Sequence, residues 1–152
     1  MPTAANGCRL RKARVSEINR IYLLTAVAHQ RQPVFGDWRS GRLVVDQLRL
    51  ADENQLATSL AWVVMPDHFH WLVQLQRGSL AELMCRVKSR SSLAINGLKR
   101  GNDRVWQRGY HDRALRRDED VKAAARYIVM NPLRAGLVNK LGDYPLWDAV
   151  WL

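Results

Sequence analysis

The sequence predicts an α+β fold: an antiparallel sheet with helices on one face, followed by a C-terminal helix. Three observations point to it. Apolar, strand-forming runs alternate with segments of helical periodicity along the chain. The strongest apolar runs, residues 61–65 and 69–75, are separated by Pro66-Asp67, which is turn chemistry and makes them a hairpin. At 152 residues and 47% hydrophobic content, the chain is sized for one domain with a buried core.

Taken in order, residues 1–20 carry much charge and little periodicity, and read as a basic arm that orders on binding. Residues 20–29 (Arg-Ile-Tyr-Leu-Leu-Thr-Ala-Val-Ala-His) are apolar at nearly every position, which suits a central strand. A connection containing Pro33 leads to a helix over 37–53. There Val44, Leu48 and Ala51 recur at i, i+4 and i+7, and Gly41 weakens the first part. After the hairpin, Ser79-Leu-Ala-Glu82 is a capping box that opens a helix to about residue 98. Its apolar stripe is Leu80, Leu83, Met84, Val87, Ala94, Ile95 and Leu98, with Arg86, Lys88, Ser89 and Arg90 largely off it.

A Gly101-Asn102 loop precedes residues 105–116, which read as short strand segments broken at Gly109. Their aromatics are interleaved with arginines. That pattern suits stacking on single-stranded bases, or equally a core position for Trp106 and Tyr110 at a sheet edge. Asp118 is the expected N-cap of a helix through about residue 130, stopped by Pro132. Its core face is Val121, Ala124, Ala125 and Ile128. Gly136 breaks the chain again. The tail over 139–152 should pack back on the body, because exposed Trp147 and Trp151 would be costly. The element order, strand–helix–strand–strand–helix–strand–helix, is ferredoxin-like with a helix added at the C-terminal end.

No apolar run reaches the length of a membrane span, and the first residues lack a signal-peptide core, so a cytoplasmic chain is expected. Cys8 and Cys85 fall in no zinc spacing, and reduced thiols follow from that compartment. Charge is the strongest compositional signal. The net charge is +10, which favours a polyanion: nucleic acid first, an acidic membrane second. Residues 86–117 hold ten Lys/Arg against Asp103 and Asp112; residues 9–20 hold five against Glu17. Arg11, Lys12, Arg14, Arg86, Lys88, Arg90, Arg108, Arg113 and Arg116 are therefore candidate DNA contacts.

The chemistry-bearing stretch is the hairpin itself. His68 and His70 are two apart on a strand, so both imidazoles point to one face while Phe69 and Trp71 point to the other. Such a pair can supply two ligands to one metal, or be two half-exposed side chains; a third ligand or a nucleophile elsewhere discriminates. Tyr127 and Asn131, four apart, share one face of the C-terminal helix, with Asn131 at its end, where a side-chain carbonyl is available as a ligand.

Met65-Pro-Asp-His-Phe-His-Trp-Leu-Val resembles the histidine–hydrophobe–histidine motif of the HUH single-strand endonucleases. The blocks Val105-Trp-Gln-Arg-Gly-Tyr-His-Asp-Arg and Arg126-Tyr-Ile-Val-Met-Asn-Pro-Leu-Arg-Ala-Gly-Leu-Val resemble the later blocks of their single-tyrosine transposases. Together with Arg20-Ile-Tyr-Leu-Leu-Thr and Tyr144-Pro-Leu-Trp-Asp-Ala-Val-Trp, they are similar to the REP-associated tyrosine transposases of the IS200-like superfamily. The resemblance implies a bacterial, nucleoid-associated enzyme that cleaves and rejoins single-stranded or hairpin DNA. It implies Mg²⁺ or Mn²⁺ on His68, His70 and Asn131, and Tyr127 as a nucleophile forming a 5′-phosphotyrosine. Only one tyrosine aligns as nucleophile, so a two-tyrosine scheme is not implied. Two other readings stand beside it: a catalytically silent nucleic-acid-binding module of the same fold, and a hydrolase using water with Tyr127 structural. The sequence leaves a monomer and a homodimer both open.

Overall fold

The computed structural model describes residues 16–150. Five strands form one antiparallel sheet: β1 Ile21–Val27, β2 Ala57–Met65, β3 His68–Leu75, β4 His111–Leu115 and β5 Trp147–Ala149. Their order is β4-β1-β3-β2-β5. The helices are α1 Trp38–Glu53, α2 Leu80–Lys99, α3 Asp118–Val129 and a single turn α4, Asn131–Arg134. The first four strands with α1 and α2 make the expected ferredoxin-like unit. Among the described residues no helix is long and apolar enough to cross a membrane.

The Pro66-Asp67 turn sets the register in which Met65 faces His68 and Val63 faces His70. Because strand side chains alternate, one residue of slip would move both histidines to the wrong face. One face of the sheet carries Leu24, Phe69 and Trp71 against Val44 and Leu48 of α1 and Met84 and Val87 of α2. The other carries Val63, Leu72 and Leu115 against Val121, Ala124, Ala125 and Ile128 of α3. Each such side chain contributes ~1.5–3 kcal/mol on burial. Trp71, fully buried, keeps its polar handle satisfied by donating Nε1 to Ser59 Oγ at 2.7 Å. The expected face holds for α1 and α2, and α3 covers the opposite face, where the histidines point.

Local chemistry explains most boundaries. The Asp37 carboxylate caps α1 by accepting from the Arg39 amide at 3.1 Å. The Ser79 hydroxyl accepts from the Glu82 amide, as the capping box requires, and the Ser16 hydroxyl accepts from Leu80 N. Residues 16–20 are thus bonded to the body, and Asn19 N also donates to Leu75 O. Arg11, Lys12 and Arg14 lie outside the described residues, as does Trp151. Asp118 is the first residue of α3 rather than its cap; Arg117 holds the cap position and pairs with Asp120. Pro132 does not end helical structure. It sits in the first turn of α4, where its missing N–H costs nothing, so the chain turns into a second short helix.

Of the two roles left open for Trp106 and Tyr110, the core position holds: each is only 6% exposed. Trp106 packs on Phe35 and Phe69 and donates Nε1 to Ser91 Oγ, so neither is a base-stacking platform. Gly41 stands buried inside α1, and Leu146 from the C-terminal tail presses so close that a side chain there would collide with it. The same tail adds β5 on the outer edge of β2, and the Tyr144 hydroxyl donates to Val64 O. Cys85 is not the free thiol expected, and Cys8 lies outside the described residues.

Candidate active site

The two histidines stand side by side on β3, with ring centroids 4.9 Å apart and planes at 76°. Each ring is oriented through Nδ1. Asp67 Oδ1 accepts from His68 Nδ1 at 2.7 Å, and Thr25 Oγ1 lies 2.8 Å from His70 Nδ1. In the neutral ring, the carboxylate leaves His68 Nε2 as the lone-pair nitrogen; His70 Nε2 is the lone pair when Thr25 Oγ1 accepts from Nδ1. A carboxylate or hydroxyl behind each imidazole is the arrangement that fixes ligand tautomers at metal sites. Burial, the neighbouring His68 and the charge of Arg134 push the His70 pKa down to about 4, so the ring is neutral near pH 7. Burial works against ionisation of Asp67, but the hydrogen bonds from His68 and Arg31 outweigh it and hold the carboxyl below the usual range.

On the same face, α3 presents Tyr127, which is 60% exposed. It borders a groove of about 520 Å³, lined from the sheet by Leu23, Arg113 and Leu115 and from α3 by Asp120, Ala123 and Ala124. Asn131 follows at the start of α4, half-buried. Its carbonyl, expected to be free, is not wholly so: Oδ1 accepts from Arg134, and Nδ2 is buried with no hydrogen-bond partner among the described residues. The same Arg134 nitrogen donates to the Tyr127 carbonyl, and the guanidinium lies 4.0 Å over the Tyr127 ring. Arg134 therefore joins the nucleophile candidate, the third ligand candidate and, through its field, His70.

This donor set fits a divalent cation. It offers two imidazole nitrogens whose opposite ring positions are anchored, and an amide oxygen with one lone pair left after Arg134. The set contains no carboxylate, so an ion there keeps its full positive charge toward a substrate.

The structure places His68 and His70 on the sheet face that α3 covers, has Tyr127 and Arg113 border one groove there, and puts Asn131 just after α3. It leaves Arg86, Lys88 and Arg90 on α2, which covers the opposite face of the sheet. The Lys88 ammonium is folded inward onto the carbonyls of Gln107 and Gly109, and burial lowers its pKa to about 8. Arg108 is exposed in the loop before β4, and Arg116 borders a depression beside residues 17–21. Sequence reading missed Thr25, Arg134 and His111. The signal for Thr25 and His111 is register alone: β1 places Thr25 opposite His70 on one side and His111 on the other. Arg134 lies seven residues after Tyr127, a helical spacing that a proline between them obscures.

Comparison with known proteins agrees with this geometry. The family model for IS200-like transposases matches residues 17–131, more than half of the chain. The REP-associated tyrosine transposase of Escherichia coli K12 is 31% identical over 87 residues, 56% of this chain and 50% of that protein. A relative from Haemophilus influenzae is 26% identical over 98 residues, 57% of this chain and 56% of its own. The chain thus spans about half the length of the curated relatives it matches. A solved structure of the REP-associated tyrosine transposase bound to a REP hairpin superposes with a TM-score of 0.71 at 21% identity, covering 88% of this chain and 79% of that one. Its likeness is one of fold. By the extent of the family match, from the start of the fold through Asn131, this chain belongs to the IS200-like transposase family.

Proposed function

We propose that this protein cleaves and rejoins single-stranded DNA at REP-type hairpins through a 5′-phosphotyrosine, in a metal-dependent reaction. The observation that carries the reading is the exposed Tyr127 on the histidine face, tied through Arg134 to Asn131 and His70. The hairpin substrate is suggested by the similarity to proteins named for REP association.

His68, His70 and Asn131 would hold Mg²⁺ or Mn²⁺, which supplies Lewis-acid polarisation of the scissile phosphate. The rest is done by the chain. Tyr127 is aimed by a helix rather than a loop, so few rotamers need freezing for in-line attack. Its Oη forms a bond to phosphorus as the P–O3′ bond breaks. The tyrosine proton leaves to solvent, and the departing O3′ takes up one in return. The bond energy is kept in the phosphotyrosine, and attack by a 3′-OH reverses the step and rejoins the strand. Arg113 borders the groove beside the nucleophile and offers a fork for a flanking phosphate.

Incubation with 5′- or 3′-labelled hairpins, followed by denaturing gels, tests this. A covalent adduct should form on the 5′-phosphate side and vanish in Tyr127→Phe. His68→Ala and His70→Ala should lose the adduct but keep most DNA affinity. Hairpin binding without any adduct would favour the silent binding module, and cleavage that survives in Tyr127→Phe would favour a water nucleophile.

A further inference from the structure

We propose that Arg134 is a further substrate contact: its guanidinium binds the scissile phosphate, between the attacking tyrosine and the metal ligands. The inference rests on the reading of Tyr127 as nucleophile. Its basis is where the charge stands. Arg134 lies 4.0 Å over the Tyr127 ring and donates to Asn131 Oδ1 and to the Tyr127 carbonyl. A phosphorus attacked by Tyr127 while its oxygens face His68, His70 and Asn131 has to sit among these same groups.

The local charge balance points the same way. The two imidazoles and the amide are neutral donors, and the nearby carboxylates are already engaged. Asp67 serves His68 and Arg31, while Asp120 serves Arg117. Arg134 makes its two hydrogen bonds from one nitrogen, Nη2, and is exposed to solvent. A guanidinium has five N–H donors, so with the two on Nη2 engaged, those on Nη1 and Nε are left, and Nη1 can donate to a phosphodiester oxygen. A guanidinium that only supported the helix end would not need to stand over the nucleophile's ring. In that position it neutralises charge building on the equatorial oxygens and holds phosphorus in line.

The test uses binding rather than turnover. Placed in a Tyr127→Phe background and in EDTA, the full chain is titrated with a hairpin carrying a neutral methylphosphonate at the linkage that the parent protein cuts. Removing that one charge should weaken binding about tenfold, the cost of one charge-assisted contact. The loss should disappear in Tyr127→Phe/Arg134→Ala and persist in part in Arg134→Lys, which keeps the charge without the planar guanidinium. Arg134→Gln, which keeps a donor to Asn131, replaces the alanine if that variant melts early. Equal sensitivity with and without Arg134 would overturn the inference and leave the phosphotyrosine reading standing. No sensitivity in either would also overturn it, with the adduct assay deciding the reading separately. A parent protein that cuts no linkage overturns both.

Discussion

Thr25→Val isolates the support behind the metal ligands. Valine preserves the β-branched shape on β1 and removes only the hydroxyl, which lies 2.8 Å from His70 Nδ1. For Nε2 to face a cation as a lone pair, Nδ1 must carry the proton and Thr25 must accept it. Without that acceptor, the ring loses its tautomer and its orientation together. Loss of such a partner costs ~10–100-fold in metal affinity, or about 1.4–2.7 kcal/mol. A donor left without a partner in this half-buried site adds ~1–3 kcal/mol of destabilisation. Mn²⁺ calorimetry and the metal dependence of adduct formation should show weaker binding in Thr25→Val and near-parent behaviour in Thr25→Ser. Unchanged Mn²⁺ affinity in the valine variant, with the fold intact, would refute the assignment of Nε2 as ligand.

Three more outcomes follow from other parts of the structure. His70 has a pKa of about 4 folded against 6.5 unfolded, so the unfolded chain takes up more protons between those values. Its contribution, up to about 3 kcal/mol, is therefore present above pH 6.5 and lost as pH falls toward 4; urea melts of His70→Asn should lack this part of the slope. Hairpin binding should weaken steeply with salt, each neutralised single-strand phosphate adding about −0.7 to the slope of log K against log salt, and a flat response would contradict a phosphate interface. Gly41→Ala should lower stability by ~1–3 kcal/mol through collision with Leu146, and Gly41→Ala/Leu146→Ala should recover part of that loss in thermal melts.

Much of this architecture was legible in the sequence because local chemistry and tertiary demand agree. The hairpin turn, the capping serine and the stripe Val44, Leu48, Ala51 each follow from periodicities that the folded core uses unchanged. The face shared by His68 and His70 follows from strand alternation alone. What escaped depends on contacts distant in sequence. No local pattern announces β5, a three-residue strand held by pairing with β2 and by Leu146 seated against Gly41. Trp106 and Tyr110 stand among arginines, and only the path of the chain beneath Phe35 and Phe69 makes them core. Thr25 meets His70 through register, and Arg134 meets Tyr127 and Asn131 through the turn at Pro132, neither of which a single segment displays.

The central claim is that Tyr127 attacks DNA, and peptide mapping of a trapped complex tests it most directly. The protein is incubated with a single-stranded REP-type hairpin and Mn²⁺, quenched, digested with protease and nuclease, and analysed by mass spectrometry. The nucleotide mass should fall on the peptide containing Tyr127, joined through a 5′-phosphate, with a free 3′-OH on the other product. A nucleotide on the peptide of Tyr110 or Tyr144, or clean cleavage with no peptide modified, would contradict the account.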